Sequence, residues 1–182
     1  MKRLLSLTAA LLLSTLSFAQ VQDQNRSKTD FQNETIYRVN LLLTPNLEIE
    51  KDVTKDISLL ASAGVGIAIY GNNSFGNNEV GLIFPFQIEL ATRYYTNFNR
   101  RLEKGKTIEN NSGNYVALSF ANVFEAENDD VRVEPGSALI GAYGIQRTYW
   151  KHFNLNFQTG LGYDFQQEEV AGQLILKLGY TF

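Results

Sequence analysis

The sequence predicts an all-β fold, an eight-stranded antiparallel up-and-down transmembrane β-barrel. Three observations carry that prediction. Apolar and polar residues alternate with period two from about residue 35 to the last residue. After the first twenty residues no stretch holds eighteen consecutive apolar residues, so helical spans are not expected. Aromatic residues gather toward both ends of the expected strands, where the two faces of a bilayer would lie.

The chain opens MKRLLSLTAALLLSTLSFAQ. Lys2 and Arg3 form a basic start, Leu4 to Leu16 an apolar run, and Ser17-Phe18-Ala19 a small-x-small cleavage signature. Residues 1–19 therefore read as a secretory signal peptide, too short to span a membrane, with cleavage expected after Ala19. Residues 20–34, polar and aperiodic, read as a flexible periplasmic leader, and 35–182 as the barrel. The chain has no cysteine, so an exported protein of this sequence is held without disulfides. Removing Lys2 and Arg3 from 16 basic residues leaves 14 against 19 acidic ones, a formal charge of −5. That balance excludes the basic field that nucleic-acid binding needs.

Strands are expected near 36–43, 46–52, 56–70, 79–97, 113–125, 136–149, 153–165 and 172–182. The first pair requires Thr44-Pro45-Asn46 to be a tight turn; without it the count is seven. Eight is preferred, because an even number returns both termini to one side. In "FNLNFQTGLGYDF", Phe153, Leu155, Phe157, Leu161, Tyr163 and Phe165 share one face. Asn154, Asn156, Gln158, Gly160, Gly162 and Asp164 share the other. In "EVGLIFPFQIELATRYY", Val80, Leu82, Phe84, Phe86, Ile88, Leu90 and Tyr94 oppose Gln87, Glu89, Arg93 and Tyr95.

Alternation alone does not separate a membrane barrel from a soluble one with its apolar face inside. Aromatic placement does. One rim collects Tyr37, Tyr94, Tyr95, Phe98, Tyr115, Tyr149, Trp150, Phe153, Tyr180 and Phe182. The other collects Tyr70, Phe75, Phe84, Phe124, Tyr163 and Phe165. Small residues on the presumed inner face (Ser58, Ser62, Gly64, Gly66, Ala68, Gly160, Gly162) suit a crowded barrel interior better than an apolar core. The last strand, "GQLILKLGYTF", alternates to its final ring, with Leu176, Leu178, Tyr180 and Phe182 on one face.

With these features the chain resembles small outer-membrane β-barrel proteins of the OmpX-type and OmpA-type size class. The stretch "RYYTNFNRRLEKGKTIENNSGNYVAL" (93–118) resembles a segment of uncharacterised outer-membrane barrels of the Bacteroidetes, where it joins two strands on the periplasmic side. The resemblance implies fold and outer-membrane location and brings no catalytic residues. It also implies that Leu176, Leu178, Tyr180 and Phe182 form a C-terminal signal read by the barrel-assembly machinery.

Candidate chemistry is sparse. Glu48, Glu89, Arg93 and Lys177 are expected to point inward as a structural lumen network of paired charges, rather than as an ion path. The strand turns predict that Glu48 and Arg93 pair over Ser58. His152, the only histidine, falls at the periplasmic end, away from the leaflet where outer-membrane lipid A deacylases and palmitoyltransferases work, so no catalytic residue is expected. The acidic loops (Glu79; Glu125, Glu127, Asp129, Asp130, Glu134; Glu168, Glu169) match no calcium-loop spacing, and neither metal nor cofactor is expected. Arg100, Arg101, Lys104 and Lys106 read as a solvated turn, and "GNNSFGNN" (71–78) as a loop. The expected function is a structural, adhesive or surface-interacting outer-membrane barrel, not an enzyme, monomeric, with outer-membrane lipids and the assembly machinery as partners. The alternatives are a narrow, porin-like binding or transport barrel, and a secreted lipocalin-like barrel, which the missing Gly-x-Trp motif weakens.

Overall fold

The computed structural model describes residues 34–42, 44–74, 77–127 and 132–182, with backbone alone for 68–74 and 77–82. The expected signal peptide and nearly all of the leader lie outside the described residues. Among the described residues twelve strands form, and eight of them close the barrel. In chain order the strands are β1 (Thr35–Leu42), β2 (Asn46–Asp52), β3 (Ile57–Val65), β4 (Ala68–Ser74), β5 (Asn77–Ile83) and β6 (Phe86–Tyr95). There follow helix α1 (Phe98–Glu103), β7 (Asn114–Val123), β8 (Ala126–Glu127), β9 (Arg132–Val133), β10 (Gly136–Tyr149), β11 (Phe153–Asp164) and β12 (Glu169–Thr181). The closed sheet runs β1-β12-β11-β10-β7-β6-β3-β2, every pair antiparallel. β1 and β2 pair as separate antiparallel strands, which gives the count of eight.

Two expected strands are each broken in two. The run 56–70 divides at Gly66-Ile67 and the run 79–97 at Phe84-Pro85. Pro85 has no N–H to donate to a ladder, and Gly66 N instead donates to Pro85 O at 2.8 Å. Beyond that break β4 and β5 form a separate two-stranded hairpin, so most of 71–78 is strand rather than loop.

Register fixes the barrel's shape. An inward row runs Gly136, Val123, Gln87, Gly64, Asn46, Asn40, Gly179, Asn154 and Thr148. It leaves β10 at Gly136 and returns to it twelve residues further on, at Thr148. A stagger of twelve over eight strands tilts them by about 45° and advances the axis roughly 2.3 Å per residue.

Side chains are distributed inside out. Leu41, Leu47, Leu90, Leu118, Leu161 and Leu174 stand exposed on the outer wall, while Arg38, Glu48, Glu50, Arg93 and Lys177 are buried within it. A lipocalin-type barrel has the opposite polarity. Water would charge heavily for this outer surface, and a bilayer would not. Aromatic rings stand outward at both rims: Tyr37, Tyr94, Tyr149, Phe153, Tyr180 and Phe182 at the rim of the termini, Phe84, Phe86, Phe124, Tyr163 and Phe165 at the far rim. Tyr95, Phe98 and Tyr115 leave the expected girdle, because all three are buried inside.

Candidate functional site: the charged interior and its plug

Strand parity sends Glu48, Glu50 and Asp52 of β2 inward at successive alternate positions. Glu50 is the hub. Its Oε2 lies 2.6 Å from Arg38 Nη1 and 3.3 Å from Arg93 Nη1. Its Oε1 accepts from Tyr95 OH at 2.6 Å and from Ser58 Oγ. Glu48 takes Lys177 Nζ at 2.6 Å, with Arg38 Nη1 further off at 3.7 Å. All of these charged side chains are essentially inaccessible to solvent.

Arg93 is held on two further sides. Its guanidinium carbon sits 4.4 Å from the centroid of the Tyr115 ring, and Nη1 donates to Gln146 Oε1 at 3.0 Å. Asn156 Nδ2 reaches the same Gln146 oxygen at 3.1 Å. Tyr115 OH lies 2.9 Å from Asn156 Oδ1 and 2.8 Å from Gln158 Oε1, and its single proton serves one of them. Gly144 makes room for this arrangement: a Cβ there would fall inside the Tyr115 ring.

The expected Glu48–Arg93 pair is therefore corrected. Ser58 does stand opposite Arg93, but its partner on β2 is Asp52, and Glu48 stands opposite Ser62. The β2–β3 turn is tight: Val53 N and Thr54 N both donate to Ile57 O. This keeps β2 paired as far as Asp52 and moves the partner of Ser58 four residues along. An even slip preserves the face and changes the partner. Arg93 consequently meets Glu50, which the sequence reading did not single out, and neither did it single out Arg38. Glu89 is buried on the inner face opposite Ser62, with no ion pair among the described residues.

The connection 96–113 closes the barrel at the rim of the termini. Phe98 of α1 is buried and stacks on Tyr95 at 4.5 Å, and Gly113 lies against the Phe98 ring. Asn110 and Asn111 then turn inward with φ of 53° and 60°, a left-handed backbone that Asn tolerates better than most residues. Asn110 O accepts from Arg38 Nη2 at 3.0 Å and from Gln146 Nε2 at 3.1 Å. Asn111 Nδ2 donates to Asp52 Oδ1 at 2.8 Å. Below them Glu34 N reaches Asp52 Oδ2 at 3.3 Å, and burial, then the Asp52 charge, push the Glu34 carboxyl above its ordinary value. The expected solvated turn is thus a plug, although Arg100, Lys104 and Lys106 do face water.

Other candidates stay apart from this network. His152 stacks on Tyr180 at the rim, its Nδ1 2.9 Å from Thr181 O, with no serine or carboxylate bonded to it among the described residues. Arg132 spans Glu125 at 2.6 Å and Glu134 at 3.1 Å; Asp129 and Asp130 lie outside the described residues. Leu176 and Tyr180 of β12, and Phe182 just after it, are exposed on the outer side, with Leu178 half-buried among them.

No protein-family profile matches the chain, and no curated protein is similar to it. Among solved structures, the crystal structure of the N-terminal β-barrel domain of Pseudomonas aeruginosa OprF is similar. It covers 81% of this chain and 93% of that one at 16% identity, with a TM-score of 0.44. A likeness of that size adds nothing to the register, which by itself defines a closed eight-stranded antiparallel barrel.

Proposed function

We propose that this chain is an outer-membrane barrel, built to stand in the bilayer and present its far-rim hairpins as a structural, adhesive or surface-interacting element. The observation that carries the reading is the inversion of polarity: leucines outside, a network centred on Glu50 inside. Such a wall is stable only against lipid, where strand pairing around the barrel must satisfy most of its backbone. The signal-peptide pattern and the resemblance of 93–118 to Bacteroidetes outer-membrane barrels support export to that membrane. On this reading the plugged lumen conducts no ions, the chain acts as a monomer without enzymatic activity or cofactor, and its partners are lipids and the assembly machinery. Membrane fractionation with gel mobility before and after heating tests it. A heat-shifted band in the outer-membrane fraction is expected, and a soluble periplasmic protein would refute it.

A further inference from the structure

The barrel wall is not of even height. Tyr37 belongs to the aromatic girdle of the terminal rim, and β1 ends five residues later at Leu42. At roughly 2.3 Å per residue that is only about 12 Å higher, near the middle of an apolar band about 25 Å tall. Among the described residues β1 pairs with β12 no further than Leu42 with Leu178, and β2 begins opposite Gly64. Above that level β12 continues to Glu169, paired with β11 alone among the described residues. A notch two strands wide is left between β12 and β3, roughly 14 Å between backbones and wider than an alkyl chain.

Hydrogen-bond parity shows what the notch exposes. Thr181 N donates toward β11, to His152 O, whereas Phe182 N donates toward β1, to Tyr37 O. Even-numbered residues of β12 therefore point their amides and carbonyls at the notch. Those of Leu174, Gly172 and Val170 lie roughly 14 to 23 Å above Tyr180, from mid-bilayer up to the far interface. The inner wall reached through the gap is mostly small and apolar, with Ala138, Ile140, Ala142, Ala171 and Ile175 around Gly160, and Gln173 stands among them, its Oε1 accepting from Gln158 Nε2 at 2.6 Å. Its floor is the Lys177–Glu48 pair.

We infer that the notch admits an acyl chain of a membrane lipid, from the leaflet on the side of the β4–β5 hairpin, into the upper lumen. The apolar wall takes the chain, and the edge amides of Gly172 and Val170 stand at the depth of the lipid's ester and headgroup oxygens, which accept hydrogen bonds as hydrocarbon cannot. The charged floor and the plug stop the chain half-way. A strand from another polypeptide would also satisfy the edge, but it would leave the apolar inner wall with nothing to cover.

The inference rests on the membrane-spanning reading, and one experiment separates the two. The full chain is refolded into vesicles containing phosphatidylcholine with a diazirine in its acyl chain, photolysed, and mapped residue by residue. Label on inward Ile140, Ala142 and Ile175, comparable to that on outward Leu118 and Leu176 and absent from Gln146 and Asn156, is expected. In Ala142→Leu, which fills the wall, the inward label should be lost and the outward label kept. Label confined to outward residues overturns the inference and leaves the membrane reading standing. Absence of label from Leu118 and Leu176 overturns both.

Discussion

Replacing Glu50 by glutamine keeps the shape of the hub and removes its charge. Glu50 Oε2 touches two guanidinium groups at once, Arg38 at 2.6 Å and Arg93 at 3.3 Å. After the change Arg93 has no carboxylate beside it and keeps Gln146 and the Tyr115 ring, and Arg38 keeps Asn110 O and a Glu48 oxygen at 3.7 Å. Two cations then share a buried space with one carboxylate fewer. Breaking a buried pair from one side costs about 3–5 kcal/mol, chiefly the penalty of the charge left behind. Glu50→Gln should lose stability in that range, measured by urea-dependent folding into lipid vesicles with Trp150 fluorescence. A double-mutant cycle should give a larger coupling for Glu50 with Arg93 than for Glu48 with Arg93. Unchanged stability of Glu50→Gln, or the reverse order of couplings, would refute the assignment of the hub.

Other expectations use the same folding assay or a planar bilayer. Leu176→Arg, on the lipid face near mid-depth, should cost about 2–4 kcal/mol, and inward Gln173→Arg much less. Gly144→Ala should cost about 1–3 kcal/mol by driving a methyl group into the buried Tyr115 ring. Asn111→Ala loses the bond to Asp52 and strains the left-handed backbone, so it should cost about 1 kcal/mol more than Asn111→Gly, which loses only the bond. The wild-type barrel should pass no steady current across a planar bilayer, whereas shortening both Arg93 and Glu50 to alanine should open a measurable leak.

Much of this architecture could be read from the chain because one face of each strand meets a different medium from the other. Period-two alternation located all eight barrel strands and turned Glu48, Glu89, Arg93 and Lys177 inward, as the structure has them. Partners within the lumen were not legible in the same way. Glu48 and Glu50 share a face, so a slip of two or four residues changes which of them meets Arg93 without exposing a single wrong side chain. The plug left no periodic signal at all, since Asn110 and Asn111 act through backbone carbonyls, an amide and left-handed dihedrals. The Asn-Asn-Ser-Gly sequence at 110–113 is turn chemistry that could have marked the reversal. Pro85 stands within the expected strand 79–97, and a proline inside a strand pattern is the signal that could have shown the break.

Which face of the wall meets lipid decides whether this barrel stands in a membrane. With no cysteine in the chain, single cysteines placed from Gln173 to Tyr180 along β12 can each carry one nitroxide. Their collision rates with oxygen and with a water-soluble nickel chelate, measured in vesicles, report the surroundings position by position. Oxygen access should peak at 174, 176, 178 and 180 and fall at 177 and 179, with the chelate excluded from the even positions. The opposite phase, or chelate access at the even positions, would mean that the leucines face water and that the barrel does not stand in a membrane.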